Sequence, residues 1–118
     1  MPSSRPNARL LDIVENIDRI LRYVDGSTFE AYESDEKSVD AVERCLGRIA
    51  EAGAKLGEAA PNLLPAHDWR AIQGFGNILR HEYDAISQQL IWDIIRTELP
   101  ALRRDCLEAV SRLDDSDE

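Results

Sequence analysis

Leu10, Val14, Ile17, Leu21 and Val24 recur at alternating intervals of four and three. That spacing sets them on one narrow seam of a helix running from about Asn7 to about Val24. Asp25-Gly26 stops it, glycine being the residue that tolerates a left-handed turn. Thr28 to Tyr32 reads as a short helical turn with Phe29 and Tyr32 facing inward. A second long helix starts at Ser34 or Asp35, either of which can cap it, and carries Val39, Val42, Leu46, Ile49, Gly53 and Leu56 in phase. Pro61 is expected to end it. Gly47, Ala50, Ala52, Gly53 and Ala54 leave room for another backbone to come close.

Leu63 to His67 reads as a connector, and Asp68 as the cap of a third helix from Trp69 to about Ile86, with Trp69, Ile72, Phe75 and Leu79 on its inward stripe. Ser87 caps or marks a break before a fourth helix holding Leu90, Ile91, Ile94, Ile95 and Leu99. Pro100 lacks an amide hydrogen and collides with the preceding turn, so a kink or interruption is expected there. The pattern resumes at Leu102, Cys106, Val110 and Leu113. Residues 1–6 read as a loose lead-in and residues 114–118 as an acidic, solvated tail. Nowhere does strand-like alternation persist. The expectation is an all-α, antiparallel four-helix-type bundle, and 118 residues suffice for a single domain with one core.

Charge changes this picture more than composition does. The net charge of −9 excludes a broad, non-specific nucleic-acid binder, which needs a basic footprint. The imbalance is uneven: Asp25 to Glu58 holds four basic and nine acidic residues, whereas Trp69 to Arg104 holds five arginines against four acids. A local anion site is therefore compatible with the second half. Cys45 and Cys106 sit on apolar stripes and read as buried, reduced thiols. No CxxC or HxxxH spacing supports a metal site, and no cofactor is expected. No apolar run reaches membrane-spanning length and the N-terminus lacks a signal-peptide core, so a cytoplasmic location is expected.

The residues that ask for chemistry are Asn77, Arg80, His81, Tyr83 and Asp84. Residues three or four apart share a helix face, so Asn77, Arg80, His81 and Asp84 line one strip, with Gly76, Arg80 and Tyr83 along its edge. An imidazole beside a guanidinium, an amide and a phenol suits a phosphate diester. Each residue alone has a plainer reading: His81 as a satisfied core or capping histidine, Arg80 as a surface partner of Asp84, Tyr83 as a core-rim residue. Their coincidence, flanked by Gly74 and Gly76, favours a site. Two interior glycines cost about 1 kcal/mol each relative to alanine, which points to close approach by another element or a partner subunit. His67 reads as a solvated loop histidine, Trp69 and Trp92 as core or interface residues, and Arg103-Arg104 as a solvated face.

From Arg44 to Ala52, and again from Asp68 to Tyr83, the chain resembles the HepT-like ribonucleases. These are the toxin-like halves of minimal-nucleotidyltransferase toxin–antitoxin pairs, within the HEPN class of helical ribonucleases. The resemblance extends from about Leu11 to Leu113, and Trp92, Leu99 and Pro100 fit the helix after the motif. The family signature is an arginine, four to six residues, then His-x-Tyr. His81 and Tyr83 match, and Asn77 matches the polar residue that follows the arginine. The arginine itself is missing: Gly76 stands in its place, and Arg80 precedes the histidine, one turn along the same edge and about 6 Å further along the axis.

The resemblance implies a homodimeric, metal-independent endoribonuclease with a cleft between protomers. His81 would act as proton shuttle, Arg80 as charge neutraliser and Asn77 as an orienting group. Tyr83 would be the hydroxyl to which a minimal nucleotidyltransferase antitoxin attaches adenylyl groups. The alternative is a non-catalytic helical binding module that keeps the nucleotidyltransferase partner and cleaves no RNA. The absent arginine and the acidic surface favour that alternative.

Overall fold

The computed structural model describes residues 5–81 and 87–116, and among them every regular element is helical. Helix α1 spans Pro6–Tyr23, α2 Phe29–Ser34, α3 Glu36–Leu56, α4 Ala59–Leu63 and α5 Trp69–His81. Then α6 (Gln88–Asp93), a π-helical turn (Ile94–Glu98) and α7 (Leu99–Ser116) follow one another without a gap. The result is a helical bundle in which α1 packs on both α3 and α7, and α5 rests on α3.

Local chemistry sets most boundaries. Pro6 opens α1 in its first turn, where a missing amide hydrogen costs nothing. Thr28, Asp35 and Ser87 each accept a backbone N–H from the first turn of α2, α3 and α6. Gly26 follows α1 at φ +72°. The seam of α1 is wider than expected, because Ile13 and Ile20 are as fully buried as Leu10 and Ile17. A helix flanked by two neighbours buries two stripes. Tyr32 anchors α2: its ring lies 5.3 Å from that of Trp92, and its hydroxyl donates to Gln88 Oε1 at 2.7 Å. Gln88 in turn donates to Glu43 Oε2 at 2.8 Å, tying α2, α6 and α3 together.

Several expectations are corrected. Pro61 does not end α3. Gly57 does, at φ +59°, with its amide bonded to the carbonyls of Gly53 and Ala54. Pro61 sits inside the first turns of α4, where proline is tolerated. The interruption expected at Pro100, by contrast, is present as the π-helical turn Ile94–Glu98. The amide of Leu99 bonds the carbonyl of Ile94, five residues back, and this wider turn makes room for the ring that follows. Leu90 is 50% exposed, although it fell on the apolar pattern. Helix α7 runs to Ser116, into the acidic segment, where Asn7 Nδ2 donates to the exposed Asp114 Oδ1 at 2.7 Å.

His67 is not a solvated histidine. Its side chain is 8% exposed and its Nε2 lies 2.8 Å from Asp105 Oδ2, which pins the loop before α5 to α7. That hydrogen bond holds the Asp105 carboxyl below the usual carboxylate range. Cys45 and Cys106 are buried thiols, as expected. Burial, reinforced by Asp105, pushes the Cys106 thiol up to about 12; burial also raises Cys45. Groups held protonated in this way are poor nucleophiles.

Candidate functional site

Helix α5 is fastened to α3 by one row of its own residues. Asp68 caps its start, with Oδ1 accepting from Ala71 N at 3.0 Å. Trp69, one residue later, lies over Gly53 of α3, where a Cβ would collide with the indole. One turn on, Gln73 Nε2 donates to the carbonyl of Ala50 at 2.9 Å. At the next turn Gly76 is buried, and a Cβ there would stand 2.6 Å from the Cβ of Ala50. Gly76 thus answers the expectation of close approach, and the approaching element is the chain's own α3. Gly74 is exposed with nothing near it.

The row 69, 73, 76 continues at Arg80, because steps of four, three and four stay on one helix edge. Arg80 therefore emerges where α5 leaves the protection of α3. Its Nη2 donates to Asn77 Oδ1 at 2.5 Å. Its Nη1 lies 3.9 Å from the point a Cβ on Gly76 would occupy, so the guanidinium reaches back over the glycine. His81 is exposed at the end of the described helix, as are Asn77 and Arg80. The structure thus brings Asn77 and Arg80 into contact and leaves His81, the next residue in the chain, exposed. Tyr83 and Asp84, and the expected continuation of the helix to Ile86, lie outside the described residues.

Beside this corner, α3 and α5 enclose a cleft of about 480 Å³ lined by Glu43, Arg44, Gly47, Arg48, Glu51, Leu79 and Arg80. Arg44 and Arg48 were not singled out from the sequence. They sit on a helix rich in acids, and only the docking of α5 brings them to face Arg80. Among the described residues no set of three His, Cys, Asp or Glu side chains is grouped to hold a metal ion. Nor is any described helix long and apolar enough to cross a membrane.

Fold and corner together define an all-helical bundle that presents a histidine, an arginine held by an asparagine, and a cationic cleft at one end of a single helix. The chain belongs to the HepT-like ribonuclease family, whose model, described as Ribonuclease HepT-like, matches residues 13–109. The chain is 31% identical over 118 residues to "Putative RNase MJ0127" of Methanocaldococcus jannaschii, covering all of this chain and 98% of that protein. It is 29% identical over 94 residues to "Probable ribonuclease HepT" of Thermococcus cleftensis, covering 80% of this chain and 86% of the relative. No solved structure matches the chain.

Proposed function

We propose that this chain is the toxin half of a HepT/MNT-type toxin–antitoxin pair, a homodimeric, metal-independent endoribonuclease silenced by adenylylation of Tyr83. The observation that carries the catalytic part is the guanidinium of Arg80, held by Asn77 and folded back over Gly76 beside an exposed His81. That geometry offers a cation at the turn where the family's arginine is missing.

In the proposed reaction His81 takes the proton of a ribose 2′-hydroxyl, and the resulting oxygen attacks the adjacent phosphorus. The phosphorus–O5′ bond breaks, and the departing oxygen takes the proton that the His81 imidazolium carries. The products are a 2′,3′-cyclic phosphate and a 5′-hydroxyl end. Arg80 neutralises charge gathering on the non-bridging oxygens as the transition state forms. Asn77 accepts from Arg80 and fixes its direction. Because the nucleophile belongs to the substrate, the reaction needs no metal-bound water.

Purified, unmodified protein should cleave RNA in the presence of EDTA and leave cyclic-phosphate and 5′-hydroxyl ends. Linear 3′-hydroxyl ends, or cleavage that EDTA abolishes, would reject this mechanism. Co-produced with a minimal nucleotidyltransferase antitoxin, the chain should gain mass in AMP-sized steps that disappear in Tyr83→Phe. An unmodified wild type under those conditions would remove Tyr83 from the scheme. A second reading, a non-catalytic module that binds the nucleotidyltransferase, draws on two observations: Gly76 at the motif arginine's position and a net charge of −9. Mass addition without RNA cleavage is the outcome that selects it.

A further inference from the structure

The cleft between α3 and α5 holds two arginines that the proposed chemistry does not use. Arg44 and Arg48 stand four residues apart on α3, about 6 Å along its axis, and with Arg80 they line the same 480 Å³ opening. We propose that this cleft is a second phosphate site, in which Arg44 and Arg48 hold the RNA strand next to the phosphate engaged by Arg80. The proposal rests on the ribonuclease reading for its substrate, but its geometry stands independently.

The two glutamates that line the cleft have partners other than its arginines. Glu43 accepts the amide of Gln88 at 2.8 Å, and Glu51 faces Lys55 at 3.7 Å. No ion pair among the described residues involves Arg44, Arg48 or Arg80. In a chain with 23 acidic residues and 14 basic ones, three arginines lining one opening, none of them in an ion pair among the described residues, run against the average surface. Like charges one turn apart on a helix repel each other, a cost that a bound anion removes.

The floor of the cleft is shaped for close approach. Gly47 lies between the two arginines, and a Cβ there would meet nothing within 4 Å. Leu79 forms the wall from α5. A backbone phosphate can therefore settle near the α3 surface while the guanidinium groups reach it from both helices. Arginine suits this role because its planar fork matches phosphate oxygens in pairs. One helical turn is also close to the interval between neighbouring phosphates of an extended strand. A strand leaving Arg80 along the cleft would meet Arg44 and Arg48 in succession, and contacts of this kind set register without reading bases.

The test uses a short fluorescein-labelled 2′-O-methyl RNA, which lacks the attacking hydroxyl and so reports binding alone. By fluorescence anisotropy, the wild type should bind it. Arg44→Gln with Arg48→Gln should weaken binding about tenfold at 0.1 M salt and lower the slope of log affinity against log salt by roughly 1.4, about 0.7 for each lost phosphate contact on a single strand. Gly47→Glu should weaken binding similarly, by placing a carboxylate on the open floor. Its melting temperature should not fall, since glutamate is the better helix former and nothing occupies that space.

Wild-type affinity in either variant, or no binding by wild type, overturns the second phosphate site. The two proposals also separate cleanly. RNA cleavage with an unchanged KM in the double arginine variant rejects the site and keeps the ribonuclease. Arginine-dependent binding by a chain that cuts nothing keeps the site and rejects the enzyme.

Discussion

RNA cleavage by His81→Ala is expected to fall by about 10²–10⁴-fold, the usual worth of a positioned proton-transfer group. The imidazole is exposed at the end of the described α5, so its removal opens no cavity. Surface substitutions of this kind shift stability by about 0.5 kcal/mol or less, and the melting temperature should stay at the wild-type value. A loss of cleavage without a loss of fold therefore isolates a chemical role. Binding of the uncleavable 2′-O-methyl strand should also persist, because the proposed contacts to its phosphates come from arginines. Cleavage at the wild-type rate in His81→Ala would take the proton shuttle away from this residue and leave the mechanism without its base. A parallel fall in cleavage and melting temperature would assign His81 a structural role instead.

Helix positions were legible in this sequence wherever the cause was local. Asp35, Asp68 and Ser87 are capping residues because of their own side chains and the few amides that follow them. The inward faces of α3 and α5 follow from a period of 3.6. What the sequence could not show depends on residues far apart along the chain. His67 is buried because Asp105, 38 positions later, meets it. The two-sided burial of α1 requires both α3 and α7 in place. Pro61 was read as the end of α3 and Pro100 as a kink or interruption. Gly57, four positions earlier, had already ended α3, whereas a π turn does interrupt the α-helical pattern just before Pro100.

The candidate site shows the same division. Asn77, Arg80 and His81 were named from residue type and helical spacing, and the spacing correctly puts Asn77 within reach of Arg80. Close approach at Gly76 was legible, but not which element approaches, since that is settled by Ala50 of another helix. Arg44 and Arg48 were hidden for the same reason. On α3 alone they look like two cations offsetting acidic neighbours.

Gly76 stands where the resemblance read from the sequence expects an arginine, and placing one there is expected to harm the protein rather than improve it. A Cβ at this position would stand 2.6 Å from that of Ala50, on the face where α5 lies against α3. Even Gly76→Ala should cost about 1–3 kcal/mol through overpacking. Gly76→Arg must also place a guanidinium at a buried helix contact, and an uncompensated buried charge adds several kcal/mol more. Chemical denaturation should show a loss of at least about 3 kcal/mol, or a chain that no longer folds. Ala50→Gly, which removes the opposing methyl, should recover part of the Gly76→Ala loss, so that the two changes fail to add. Arg80→Ala, in contrast, should keep its stability and lose cleavage by about 10²–10³-fold, the typical cost of removing one group that stabilises transition-state charge. Gly76→Arg combined with Arg80→Ala should then be both unstable and inactive. A folded double variant with wild-type cleavage would show that the motif pocket opens from position 76 after all, and that Arg80 does not stand in for the missing cation.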